Sequence, residues 1–174
     1  MTCKGYIETD LERIRQLAEE RDDENWKFRT FLKQQDDIDV RVHRILEEVE
    51  AQIDCAACMN CCKELMPSVD EADIERLSGA MAMSPEDFRQ QYVEDGKING
   101  LVLRGLPCPF LEGDRCSVEA EQPECCREFP YLHKDGFVFR LMGVCSNYGV
   151  CPIVFNVYER LKHELGWRPR RTRR

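Results

Sequence analysis

The chain has no apolar run longer than a handful of residues, far short of the roughly 20 needed to span a bilayer as a helix, so no membrane span is expected. Its N-terminus, MTCKGYIETDLERIRQ, lacks the apolar stretch of a secretory signal and is charged where such a signal would be greasy. A cytoplasmic location is the expectation. Histidine is scarce: only His43, His133 and His163 occur, and none stands in a nucleophile–base pattern. There is also no Gly-rich phosphate loop. Thiol hydrolysis and phosphate-loop chemistry therefore have no support, and no enzymatic activity is assigned. Cysteine is missing from residues 4–54, although the chain holds 11. In a reducing compartment structural disulfides are rare, which weakens a disulfide scaffold as the explanation, and an odd count would strand one thiol.

At 174 residues and 43% apolar, the chain fits one domain with an appendage and can bury a real core. The cysteine gap divides it into an N-terminal acidic helical segment (1–54), a cysteine-cluster metal-binding domain (55–166) and a basic C-terminal tail (167–174). In the first segment Ile38, Val42, Ile45, Val49 and Ile53 recur at steps of four, three, four and four, one helix face with Leu46 beside it. Leu11, Ile14 and Leu17 form a shorter stripe, and Trp26, Phe28, Phe31 and Leu32 add bulky weight between. Residues 6–54 carry 15 acidic against 8 basic side chains, read as a solvated face around a packing stripe. His43 is read as a surface or half-buried residue rather than a ligand.

Past the cluster, Ser68 with Glu71 reads as a capping box opening a helix through Ile74 and Leu77. Ser84-Pro85-Glu86-Asp87 is a second helix start, with Phe88 and Tyr92 facing inward and an end near Gly96. GLVLRG (100–105) and FVFRLMGV (137–144) read as strands, the latter after an Asp135-Gly136 hairpin turn. A last amphipathic helix runs from about Pro152 through Val154, Val157, Tyr158, Leu161 and Leu165 to Gly166. The expected fold class is α+β: a small helix-rich domain with a short antiparallel hairpin, organised by a cysteine-ligated metal centre, plus N-terminal helices.

CAACMNCC (55–62) places Cys55, Cys58 and Cys61 at the C-x2-C-x2-C spacing of bacterial ferredoxins, with Cys62 as an extra. Cys108-Pro109, Cys116, Cys125-Cys126, Cys145 and Cys151-Pro152 follow. Most fall in expected loops or at element ends, which suits ligation better than packing. The proline after a ligand fixes the direction in which the chain leaves. The candidate metal ligands are Cys55, Cys58, Cys61, Cys62, Cys108, Cys116, Cys126, Cys145 and Cys151, with Cys3 apart.

CAACMNCC, followed by CPFLEGDRCSVEAEQPECCREFP, Cys145 and Cys151-Pro152, resembles the CxxCxxCC family of zinc- or iron-chelating domains (YkgJ-type cysteine-cluster proteins) over roughly residues 55–152. The resemblance implies metal binding, often as an iron–sulfur centre. Some relatives attach the domain to flagellin lysine methylation, but no segment here matches that activity. Two departures stand out. The family's glycine is replaced near Met59-Asn60, where Asn60 is the residue that tolerates φ > 0. One cysteine precedes the Arg-x-Phe-Pro of the family, and Cys126 fits that place, leaving Cys125 surplus.

A tetrahedral zinc site has Zn–S of about 2.3 Å, and adjacent residues with diverging side chains fit poorly around one such ion. Two readings follow: an iron–sulfur cluster, of the [4Fe-4S] type, or two zinc ions dividing the cysteines with Cys61 and Cys62 on different ions. The spacing and the resemblance favour iron–sulfur. Lys63 and Arg127 lie beside ligands, where positive charge favours thiolates. The tail carries five arginines in 168–174, and without them 20 basic residues face 33 acidic ones. Such a tail has the charge to contact RNA or acidic lipid and equally to fold back on its own acidic surface. Nucleic acid is not the expected partner; a protein partner and the oligomeric state are left open. The functional expectation is a metal-binding protein for electron transfer or in support of another activity. Its alternative is a zinc-stabilised interaction module.

Overall fold

The computed structural model describes residues 6–96 and 100–169, so Cys3 and most of the arginine tail lie outside the described residues. The chain forms two compact units, one of Met1–Asp54 with Pro130–Arg174 and one of Cys55–Phe129. The unit boundaries fall at 54/55 and at 129/130. The reason is packing: the final helix belongs with the N-terminal helices.

Three helices open the first unit. In α1 (Leu11–Glu20) the Asp10 carboxylate caps the start, accepting from the amides of Glu12 at 3.0 Å and Arg13 at 3.1 Å. Ile14 and Leu17 are its buried positions. α2 (Asp22–Leu32) buries Asn25, Phe28 and Leu32, and α3 (Ile38–Glu50) buries Ile38, Val42, Ile45, Leu46 and Val49. The spacing read from the sequence is the stripe that is buried, except that Ile53 lies past the helix end. His43 is half-buried on α3.

The second unit begins with two short helices, α4 (Cys55–Cys58) and α5 (Asn60–Glu64), joined through Met59 in the left-handed region at φ 49°. After β1 (Ser68–Val69) come α6 (Glu71–Ala80) and α7 (Pro85–Tyr92), then β2 (Val93–Asp95) and β3 (Leu101–Leu103). The strands form an antiparallel sheet in the order β1-β3-β2, with Ser68 opposite Val102 and Val93 opposite Leu103. β4 (Leu111–Glu112) and β5 (Arg115–Cys116) make a separate hairpin. Gly113 takes φ 61° at its turn, a conformation that favours glycine. The unit ends in α8 (Glu124–Arg127). Its core joins Val69, Ile74, Leu77, Phe88, Leu103 and Phe110, and Cys62 and Cys116 pack against it.

Two local readings need correction here. Ser68 does not cap α6; it lies in β1, and the capping box is Asp70 with Asp73, each carboxylate bonded to the other's amide at 2.8 and 3.3 Å. At α7 the Ser84 cap and Pro85 are as expected and Phe88 is fully buried, but the helix stops at Tyr92 and continues as β2.

Back in the first unit, residues 137–144 are not a strand. Phe137–Phe139 form a 3-10 turn, followed by α9 (Leu141–Asn147). A strand would place Phe137, Phe139 and Leu141 on one face. Instead Phe139 is 90% exposed, while Phe137, Leu141, Val144 and Tyr148 are buried at helical steps. Gly136 uses its φ of 78° to start this turn rather than a hairpin. The amides of Gly136 and Phe137 donate to the Asp39 carboxylate at 2.7 and 2.8 Å. α10 (Pro152–Glu164) then packs chiefly on α3 and ends before Gly166, as the sequence indicates. No single helix among the described residues is long and apolar enough to cross a membrane.

Candidate metal centre

Four stretches of the second unit carry the thiols. Adjacent residues on a helix are rotated by about 100°, yet the Sγ atoms of Cys61 and Cys62 on α5 lie 4.0 Å apart. Those of Cys125 and Cys126 on α8 lie 3.9 Å apart. The Cys108 amide donates to the Cys62 carbonyl at 2.7 Å, tying the segment before β4 to α5. Cys116 comes in on β5, paired with Leu111.

The start of α6 positions α8. Asp73, 5% exposed, accepts the Glu124 amide at 3.3 Å and an Arg76 guanidinium N–H at 2.5 Å. Arg76 also donates to the Gln122 carbonyl at 3.1 Å. The Cys125 thiol in turn donates to the Ser68 carbonyl of β1 at 3.0 Å.

These contacts bring thiols from distant parts of the sequence within electrostatic reach of one another. Cys108 feels Cys62, Cys116 and Cys125, and Cys126 feels Cys125, Cys108 and Cys62. The Cys61 thiol bonded to Cys62, with help from the Lys63 ammonium and against burial, pulls Cys62 down to about 7. Cys125 is held below the ordinary thiol range by its bond to Cys126, against burial. Cys126 is pushed up by the same pairing and by burial, and burial followed by the neighbouring thiolates raises Cys108. Like charges this close cannot all ionise without a counter-cation, and a bound metal ion is what deprotonates coordinating thiols outright. Lys63 therefore acts as the sequence suggests. The Arg127 guanidinium is instead engaged with the Gln122 carbonyl.

Other expectations come out differently. Met59 and Asn60 are buried, 9% and 5% exposed, and Met59 rather than Asn60 takes the positive φ. The outward end of this stretch is Cys55, which is exposed, while Cys58 is half-buried. Cys125, left as surplus, stands among the other thiols of its unit. Cys58, Cys62, Cys108, Cys116, Cys126 and Cys145 are thiols outside any disulfide. Among the described residues no three His, Cys, Asp or Glu side chains already stand at the spacing of a metal-ion site. The thiols are thus gathered as pairs rather than as a closed tetrahedron.

Cys145 and Cys151 belong to the first unit. The Cys145 Sγ on α9 lies 3.6 Å from the Tyr158 hydroxyl, and burial raises its thiol. It borders a cleft of about 540 Å³ with Asp22, Asn25, Trp26 and Tyr148. Cys151 is buried at the start of α10. Sequence reasoning missed a charged cluster in this unit. Lys162, 5% exposed, donates to Asn25 at 2.6 Å, Glu159 at 2.7 Å and Glu24 at 3.0 Å. Tyr148 donates to Glu159 at 2.7 Å, and Arg21 pairs with the same carboxylate at 2.5 Å. The one available signal was a lysine beside Leu161 on the apolar stripe, three residues after a glutamate.

Residues 54–171 match the CxxCxxCC family, described as "Putative zinc- or iron-chelating domain". No curated protein and no solved structure matches the chain. With the match spanning well over half of the sequence and covering every thiol described above, the chain belongs to the CxxCxxCC family of zinc- or iron-chelating domains.

Proposed function

We propose that the 55–129 unit chelates zinc or iron through cysteine thiolates and that the metal stabilises the folded form of this unit. The observation that carries this reading is the gathering of Cys62, Cys108, Cys116, Cys125 and Cys126, from α5, the segment before β4, β5 and α8, within one small unit. Its strands are two or three residues long. A core built on such short elements is marginal, and a bound metal adds its binding free energy to folding. Cys145 and Cys151 of the other unit are no part of that observation. A reducing compartment keeps these thiols available, and we place the protein in the cytoplasm on that ground.

Sulfur separations near 4 Å within both vicinal pairs support tetrahedral coordination in which the two thiols of a pair share an ion, since the S···S edge is about 3.8 Å for a metal–sulfur bond of about 2.3 Å. On this reading the protein is a metal-stabilised interaction module. The C-x2-C-x2-C spacing of Cys55, Cys58 and Cys61 supports a second one, an iron–sulfur cluster of the [4Fe-4S] type that transfers electrons. Elemental analysis and a visible spectrum of anaerobically purified protein separate the two. Zinc gives a colourless protein unaffected by dithionite; a cluster gives a brown one that dithionite bleaches reversibly. Protein that carries neither metal contradicts both.

A further inference from the structure

Along 137–148 the first unit has an exposed face as well as a buried one. Phe137, Leu141, Val144 and Tyr148 are buried, whereas Phe139, Met142, Gly143 and Ser146 are exposed. Residues three and four apart on a helical stretch are neighbours, so these four form one stripe. It carries no charge and two large apolar side chains, Phe139 at 90% and Met142 at 53% exposure. The turn that holds Phe139 in water is braced twice. Asp39 takes the amides of Gly136 and Phe137, and the Arg140 guanidinium donates to the carbonyls of Tyr131, Lys134 and Asp135. A side chain at Gly136 would meet the Phe139 ring at 3.3 Å, so the ring lies close over that glycine. Large apolar side chains held outward on a fixed turn are the material of a binding surface.

The far end of the stripe opens into a cleft. Ser146, whose hydroxyl donates to the Met142 carbonyl at 3.1 Å, lines the cleft of about 540 Å³ together with Glu19, Asp22 and Trp26. The Trp26 indole N–H donates to Asp22 at 3.1 Å. Neither Glu19 nor Asp22 takes part in an ion pair among the described residues. Arg29 is engaged over the Trp26 ring, 5.1 Å from its centroid, and Arg21 and Lys162 are matched by Glu159 and Glu24. Two carboxylates without a cationic partner beside an indole suit a cation on an apolar stem.

We propose that this stripe and cleft dock a basic amphipathic helix of a partner protein, whose apolar side chains cover Phe139 and Met142 while a lysine or arginine enters the cleft toward Glu19 and Asp22. Phe139 and Ser146 are seven residues apart, about 10 Å along a helix. The partner's cation therefore lies about two turns from its apolar anchor. An acidic partner or an anionic lipid surface would be repelled by the same carboxylates. Every residue of this surface belongs to the first unit, so the proposal stands independently of metal binding by 55–129.

A phage-displayed peptide library, selected on the full chain and counter-selected on F139S/M142S, is the probe. Both side chains are exposed, so their replacement empties no core. Enriched peptides are expected to carry apolar residues three or four apart and a lysine or arginine about seven positions away. Their affinity, read by fluorescence anisotropy at physiological salt, should fall about tenfold or more in F139S and again in E19Q/D22N. No enrichment, or enriched peptides without basic residues, overturns the proposal. So does an affinity unchanged in either variant, which would show attraction to the net charge of −8 alone. Self-association of the unaltered chain that is lost in F139S would make a second copy the occupant instead. Peptides that bind at least tenfold more tightly once the five arginines of 168–174 are replaced by serine would give that place to the chain's own tail. Either result overturns a separate partner, and all of these failures leave the metal reading intact.

Discussion

Two cysteines side by side look, on sequence grounds, like poor partners for one ion, because neighbouring side chains diverge. In the structure both sulfurs of a pair nonetheless stand at about one tetrahedral edge, 4.0 Å in Cys61-Cys62 and 3.9 Å in Cys125-Cys126. Individual thiols are accordingly where the first tests belong. Cys62→Ser is expected to lower the metal bound per chain, and Cys3→Ser to leave it unchanged, both read by elemental analysis. A Cys62→Ser protein with full metal content would remove Cys62 from the donors. Away from the thiols, Asp39 holds the turn at Gly136 through two amide bonds of 2.7 and 2.8 Å to a charged acceptor. Bonds to charged groups are worth about 1.5–3 kcal/mol each. Asp39→Ala should therefore lower the stability of the first unit by at least one such bond in urea denaturation. An unchanged midpoint would show the turn to be set by packing alone.

Among the elements, those with both a periodic apolar stripe and a clear terminus were legible. The buried face of α3 was, and so were the Ser84-Pro85 start of α7 and the limits of α10, because capping chemistry and helical period act locally. Residues 137–144 were not legible. Asp-Gly suggests a hairpin only while the residues beyond it pair, and here the glycine's freedom serves a helical turn held by Asp39 from a distant part of the chain. The cap of α6 was misplaced by two residues because serine and aspartate are equally good caps, and only the pairing of Ser68 with Val102 settles which one is used. The cap also positions α8, so it carries a prediction. Asp70→Ala should cost about 1 kcal/mol, and Phe88→Ala, which empties a fully buried site in the same unit, about 3–5 kcal/mol. Both are measured by denaturation of the metal-loaded protein. Equal losses would mean that the cap does more than satisfy two amides.

Over the whole molecule, the chain divides into two compact units at 54/55 and 129/130. Cysteine content marks where metal chemistry lies, whereas unit membership is decided by the packing of α10 on α3. How the thiol-bearing stretches of 55–129 are tied together was not legible in the sequence, since it depends on two-residue strands, on the Cys108–Cys62 backbone bond and on Asp73 bracing α8. If metal free energy is folding free energy for 55–129, a strong chelator should unfold that unit and spare the first. Hydrogen exchange should then show amides of α6 and α7 losing protection while those of α3 and α10 keep it; uniform protection after metal removal would deny the metal a structural role. The most direct test of the thiol centre is the metal content of the unaltered chain purified without oxygen, measured beside Cys62→Ser. Zinc or iron at one or more equivalents per chain, reduced in the variant, is the expected result. A folded, reduced protein with no zinc or iron, or with the same amount in both, would contradict a thiolate metal centre in the 55–129 unit.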